Sequence, residues 1–248
     1  MTTQPDFVYK EIDSEGHDTL DVIALADNFN RWMYDTIHPF CKGDILEIGS
    51  GTGNISTFFL NNNESIFLSD IRDSYCEILQ QKFNTHSNLL GVQNIDLIDP
   101  LFDKKFENHL NRYDTVFALN VVEHIEDDLL AIANCKKMLR KNGHLIILVP
   151  AYQFLYNRFD KELFHYRRYN KQSLASLFLK NNLELRKQMY FNALGIAGWF
   201  VSGKLMRKKI IPKGQMSFYN KIVPIAKILD FVLLKKIGLS VISIGRKS

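Results

Sequence analysis

A chain of 248 residues, 46% of them apolar, is long enough for one α/β domain with additions and has the composition of an ordinary soluble globular protein. Cys41, Cys76 and Cys135 are widely spaced with no C-x-x-C pair, which argues against a zinc site or disulfide framework and for free thiols in a reducing compartment. The net charge of +4 excludes little, but no uncharged apolar run reaches the ~20 residues of a membrane span, and the first residues have neither the basic nor the apolar segment of a signal peptide.

Residues 1–18 are polar and expected to be irregular in part. Residues 19–38 read as a helix with Leu20, Ile23, Phe29, Trp32, Met33 and Ile37 on one side, ended by Pro39 and Gly43. Residues 44–54 follow as a short apolar run containing Glu47, then glycines at 49, 51 and 53 and Asn54, the pattern of a buried strand turning into a helix. One glycine would serve a tight turn, so three at alternate positions point to a close ligand. A helix over 54–60, a turn at 61–63 and a strand over 65–69 lead to Asp70, ahead of a helix beginning near Asp73. Asp96 follows a third strand over 88–95, and Asn120 ends a fourth over 113–120. Glu126, Asp127 and Asp128 open a helix running to about Arg140; their charge suits its dipole, and they are given no catalytic role. Lys141, Asn142 and Gly143 close it before a fifth, buried strand over 144–150. A helix over 171–180 and strands over 183–191 and 239–246 complete the chain.

Five strands alternating with helices imply a parallel, doubly wound sheet, whose ligands bind outside the carboxyl ends of the strands. The glycine run, Asp70, Asp96 and Asn120 all follow strand ends. The dinucleotide fingerprint G-x-G-x-x-G fits Gly49 and Gly51 but meets Asn54 where its third glycine should stand. The spacing present is E-x-G-x-G-x-G over 47–53, which resembles motif I of the class I S-adenosylmethionine-dependent methyltransferases (type 11/12-like). The resemblance implies that the backbone of Gly49, Gly51 and Gly53 lies against the methionine end of the cofactor, and that Glu47 orients the loop and the cofactor's amino group. Asp70, 17 residues after Gly53, can accept from both ribose hydroxyls, and this reading is preferred to an N-cap role. The resemblance assigns Asp96 to the adenine amino group, with a turn role as the equal alternative, and sets Asn120 beside the sulfonium. It also lays the leading helix over the cofactor, so that Trp32 and Tyr34 either line a pocket or pack in the core. His124 reads as structural.

Residues 151–170 carry Asp160, His165, Arg167 and Arg168 among Tyr156, Tyr166 and Tyr169. Paired arginines suit phosphate or carboxylate recognition, and His165 could act as a general base on a hydroxyl acceptor. The segment is similar to the D…GH-x-R-R-Y stretch of methyltransferases tied to glycan or envelope biosynthesis. It departs from it at Phe164, where glycine is expected, and the path of the loop is therefore open. His165, Arg167 and Arg168 are the candidate acceptor-site residues.

The last two strands, a hairpin in the resembling family, are separated here by residues 192–237. Nine lysines and arginines lie there against one acid, Asp230, so the insertion carries +8 and the rest of the chain −4. A helical wheel over 217–236 gathers Ile222, Ile225, Ala226, Leu229, Val232 and Leu233 on a broad apolar face opposite Asn220, Lys221, Lys227 and Lys235, with Pro224 expected to start or kink the helix. Such a segment fits an anionic membrane surface or an amphiphilic acceptor; two ordinary helices packed on the domain is the alternative.

The expected fold is thus α/β, a Rossmann-like doubly wound sheet of seven strands, mostly parallel with an antiparallel last strand, and with a helical insertion before that strand. Residues 1–248 are read as a single methyltransferase domain, with 1–40 a helical cover and 192–237 the basic apolar insertion. The expected activity is S-adenosylmethionine-dependent methyl transfer to a small-molecule, glycan- or lipid-linked acceptor, in the cytoplasm and at the membrane periphery. A nicotinamide-dependent oxidoreductase, disfavoured by Asn54, and a non-catalytic cofactor-binding protein of the same fold stay open. Spacing shows no metal-ligand cluster, so no metal is expected, and no nucleic-acid motif accompanies the basic segment.

Overall fold

The computed structural model describes residues 26–205 and 213–248. The polar start, the first turns of the leading helix, and Arg207, Lys208 and Lys209 of the insertion lie outside the described residues. Helix α1 (Asp27–Ile37) runs into a 3-10 turn at His38–Phe40. There follow β1 (Ile45–Ile48), α2 (Ser56–Asn61), β2 (Ile66–Asp70), α3 (Asp73–Phe83), β3 (Leu89–Asn94), α4 (Phe102–Lys105) and β4 (Tyr113–Leu119). Beyond them come α5 (Asp128–Met138), β5 (Leu139–Pro150), α6 (Arg158–Glu162), α7 (Lys171–Lys180) and β6 (Leu183–Phe191). The chain continues through α8 (Ala193–Trp199), a π-helical turn at Phe200–Leu205, α9 (Lys213–Val232) and β7 (Ser240–Lys247).

The seven strands form one sheet in the order β3-β2-β1-β4-β5-β7-β6. Pairing is parallel from β3 to β5; β7 runs antiparallel between β5 and β6. Alternate strand residues serve opposite faces. Leu46, Val116, Leu145 and Ile147 point to the face covered by α5 and α7, whereas Ile45, Phe117, Ile146 and Leu148 point to the face covered by α1, α2, α3 and α9. Both faces are covered, which is why the strands read as unbroken apolar runs. Each such side chain contributes roughly 1.5–3 kcal/mol by leaving water.

Three expectations need correction. The helix after Asp128 ends at Met138, and residues 140–143 do not close it. They loop out of β5, with Asn142 at φ 67°, between the pairs Tyr113–Leu139 and Thr115–His144. Pro224 does not start α9, which runs through it. Proline withholds the N–H that the Asn220 carbonyl would accept, and Asn28 Nδ2 donates to that carbonyl instead, at 3.1 Å. Finally, α9 buries only part of the face the wheel suggests. Val223, Ala226 and Asp230 are buried, while Ile225 and Val232 are 62% and 67% exposed. The Asp230 carboxylate fixes this rotation by accepting from the Asn192 and Ala193 N–H groups, both at 2.7 Å, at the start of α8. Asn220, expected on the polar side, accepts from Phe29 N at 3.1 Å, so α9 is docked on α1.

Trp32 and Tyr34 belong to this core. Trp32 packs on Phe191 with ring centroids 4.3 Å apart, and Tyr34 meets Phe59 edge-on at 4.8 Å.

Candidate active site

The sheet order places the carboxyl ends of β3, β2, β1 and β4 side by side, and the parallel register keeps them level: Ile48 pairs with Ser69 and with Ala118, and Asp70 with Asn94. Asp96, Asp70, the glycine loop and Asn120 therefore emerge along one edge, in that order. The loop itself is left-handed at all three glycines, with φ 72°, 52° and 79° at Gly49, Gly51 and Gly53. A Cβ at Gly49 would stand 2.4 Å from Val121 Cγ2, and one at Gly53 2.5 Å from Phe83 Cε2. Backbone shape and close packing thus require the triple spacing, which one glycine could not satisfy.

Asp70 closes the loop from the neighbouring strand. Its Oδ2 accepts from Gly51 N at 3.0 Å and its Oδ1 from Arg72 N at 3.1 Å. It does not cap α3, whose N-cap is Arg72. Each carboxylate oxygen keeps a further lone pair, the capacity two ribose hydroxyls would use. Burial raises the Asp70 carboxyl above its usual range against the opposing pull of these N–H groups. Glu47, buried in β1, accepts from the Ser56 hydroxyl at the start of α2. Burial pushes its carboxyl up to about 7, with the Ser56 and Ser50 hydrogen bonds working in the other direction. Asp96 is half-buried and makes the turn contact, its Oδ1 accepting from Ile98 N at 2.9 Å. Asn120 is exposed and left-handed at φ 55°, its N–H held by the Leu148 carbonyl at 2.8 Å.

The 151–170 segment is built around a buried ion pair. Asp160 Oδ1 accepts from Arg168 Nε at 2.7 Å and lies 2.9 Å from His165 Nδ1, while its Oδ2 accepts from Asn157 N at 2.9 Å. Burial alone would raise the Asp160 carboxyl; the His165 hydrogen bond and the Arg168 charge outweigh it and hold it below the usual range. Arg168 also donates to the Ala151 carbonyl at 3.0 Å and lies 4.5 Å from the Trp199 ring centroid. With 5% exposure and its Nε and Nη1 donors committed to Asp160 and Ala151, Arg168 braces the segment. Arg167 is turned the other way, to Asp128 at 2.8 Å and the Glu126 carbonyl at 2.8 Å. Asp128 also accepts from Tyr169 OH at 2.9 Å, and Asp127 caps α5 through Leu130 N. Phe164 takes the glycine conformation directly, at φ 58°, with its side chain 47% exposed, so the loop path survives without glycine.

Sequence reading missed one grouping. Val122–His124 forms a 3-10 turn after β4, and the loop brings His165 back onto it, the His124 and His165 rings edge-to-face at 4.6 Å. One donor atom each from Glu123, His124 and His165 lie within 4.8 Å of one another. Glu123 is fully buried, and neither of its carboxylate oxygens has a hydrogen-bond partner. Burial pushes it up to about 8, and burial with the nearby His165 pushes His124 down to about 3. The available signal was an acid inside the apolar run from Val121 to Ile125.

Residues 46–145 match a family model described as a methyltransferase domain. A highly reducing polyketide synthase of Pyrenophora dematioidea is 33% identical over 114 residues, which are 42% of this chain and 4% of that protein; the chain thus spans a small fraction of this relative's length. Among solved structures, a SAM-dependent methyltransferase from Archaeoglobus fulgidus aligns with a TM-score of 0.57 at 15% identity, over 88% of this chain and 94% of its own. A phosphoethanolamine N-methyltransferase of Haemonchus contortus, in complex with phosphomonomethylethanolamine and S-adenosylhomocysteine, aligns with a TM-score of 0.64 at 13% identity, over 98% of this chain and 61% of its own. At these identities the structural likeness establishes the fold.

Proposed function

We propose that this chain is a class I S-adenosylmethionine-dependent methyltransferase that methylates a small-molecule, glycan- or lipid-linked acceptor at a membrane surface. The supporting observation is the level row of strand-end loops, with a left-handed glycine loop tied to Asp70 across the strands. S-adenosylmethionine supplies an already activated methyl group, so the chain's own task is placement of the acceptor in line at ~3–3.5 Å. In this reading Asp70 holds the ribose, Glu47 and the loop glycines the methionine end, Asp96 the adenine side, and Asn120 borders the reacting methyl. Residues 151–170 cover the acceptor side, with His165 and Arg167 shaping it and Arg168 bracing it through Asp160. The polyketide synthase relative supports a small-molecule acceptor. Calorimetry on the chain should register S-adenosylmethionine and no nicotinamide dinucleotide; the reverse preference overturns the reading. His165→Ala should lower turnover on the true acceptor and leave cofactor affinity in place.

The membrane part rests on the insertion. Phe218, Ile225, Ile228 and Phe231 of α9 are each more than 60% exposed, whereas the insertion's single acid, Asp230, is turned inward. An apolar ridge within a strongly basic segment has the charge sign and surface that an anionic leaflet attracts, at ~1 kcal/mol per basic residue near it. No helix among the described residues is long and apolar enough to cross a membrane; the proposed contact is peripheral. The free Cys41, Cys76 and Cys135 thiols support a cytoplasmic setting. Flotation with anionic vesicles should be strong at low salt, weak at high salt, and lost on charge reversal at Arg207, Lys208 and Lys209. Absence of flotation at low salt leaves α8 and α9 as a plain cap on the domain.

A further inference from the structure

We propose that Glu123, His124 and His165 form a binding site for a divalent transition-metal ion, zinc or one of its first-row neighbours, beside the acceptor side of the sheet edge. The donors are one carboxylate and two imidazoles, a set that suits zinc or iron(II) and leaves coordination positions open for water or an acceptor oxygen. They come from two stretches that the fold joins: the 3-10 turn after β4 gives Glu123 and His124, and the loop after α6 gives His165.

Three features single this cluster out. First, Glu123 is 0% exposed and neither carboxylate oxygen has a hydrogen-bond partner. A buried carboxylate left unpaired is costly, and a bound cation would remove that cost. Second, the nearest fixed charges do not supply the missing partner. Arg168 is committed to Asp160 and to the Ala151 carbonyl, and the pair it forms with Asp160 is neutral. Third, the His165 imidazole is oriented from behind. Asp160 Oδ1 lies 2.9 Å from His165 Nδ1, which leaves Nε2 for the cluster. A carboxylate behind a ligating histidine is the usual outer arrangement of such sites. Bonds of ~2.0–2.2 Å require the donor atoms to draw in from their present separations of up to 4.8 Å. The inference is independent of methyl transfer: cofactor affinity and metal affinity are separate measurements.

The test uses the full chain, freed of metal by chelation and then titrated with Zn2+ in competition with a chromophoric chelator. One equivalent should bind at micromolar or tighter affinity. Glu123→Gln and His124→Gln should each weaken it at least tenfold, and Asp160→Asn should weaken it by about tenfold through His165. Circular dichroism and S-adenosylmethionine titration on the same samples show whether each variant is folded. Because Asp160 is also a structural anchor, the decisive second measurement needs no variant: Co2+ added to the wild-type chain should give visible d–d absorption of a low-symmetry nitrogen and oxygen site, displaced by one equivalent of Zn2+. Absence of stoichiometric Zn2+ binding, absence of the Co2+ bands, or unchanged affinity in folded Glu123→Gln would each overturn the proposal and identify the buried carboxylate as one neutralised by a proton.

Discussion

The two halves of the sheet edge solve the same problem by different means. On the cofactor side, the two strand-end aspartates are held by backbone: Asp70 by the Gly51 and Arg72 N–H groups, Asp96 by Ile98 N. On the acceptor side the charged side chains are tied mainly to one another, through the Asp160–His165–Arg168 chain and the Arg167–Asp128 pair. Backbone donors cannot wander, so the first half is set once the strands pair. Side-chain networks hold only when every member is present, so the second half depends on distant residues folding together.

Substitutions should expose this difference. The largest effect is expected for Arg168→Ala, which leaves Asp160 buried without its cation; the loss should be on the order of 3–5 kcal/mol of stability, read from the denaturant midpoint. A variant with full stability and impaired acceptor kinetics alone would return Arg168 to the acceptor site. Asp70→Ala removes a contact shared by loop and ligand and should weaken S-adenosylmethionine binding by roughly 1–3 kcal/mol, or about five- to 150-fold. Calorimetry giving the wild-type affinity would withdraw the ribose assignment.

Glu47 allows a test by pH. Its folded carboxyl titrates near 7, above the ~4.3 of an exposed glutamate, so the folded state holds the proton more tightly. Its contribution to stability is present below the unfolded value and is lost as pH rises from about 4 to 7. In Glu47→Gln that part of the pH slope should flatten, by about 1–3 kcal/mol across the window; an unchanged slope assigns it elsewhere. The smallest effect is expected at Phe164. A left-handed phenylalanine costs roughly 1–2 kcal/mol, and glycine would remove that cost while adding about 0.5–1 kcal/mol of chain entropy. Phe164→Gly should therefore stabilise slightly, by under about 1 kcal/mol, in thermal unfolding. A loss of stability would mean that the phenyl ring anchors the loop.

The same contrast governs what could be read in the sequence. Strand ends and the glycine spacing are local, and α7 and β6 fall on the residues expected. The cluster of Glu123, His124 and His165 was not legible because its members are about 40 positions apart and share no ligand spacing. The face of α9 was misjudged because a helix apolar on most sides has no preferred rotation by hydropathy alone. Its orientation comes from Asp230, an acid that a wheel puts toward water but whose carboxylate completes the start of α8. Arg168 looked like a ligand-binding cation for a similar reason: its partner, Asp160, lies eight residues earlier, on the far side of a turn.

The placement of β7 has a consequence for assembly. The last strand in sequence is not the last in the sheet: it is wedged between β5 and β6, with Ile146 facing Ile244 on one side and Lys187 facing the same residue on the other. β6 therefore has no neighbour to join until residues 240–247 arrive, and α8 and α9 must already be looped out between them. Sheet closure becomes a non-local step with a high contact order. The basic apolar insertion is thus the loop that must close before β6 can join the sheet, and a surface that orders its helices early, a membrane included, would shorten the search for that closure.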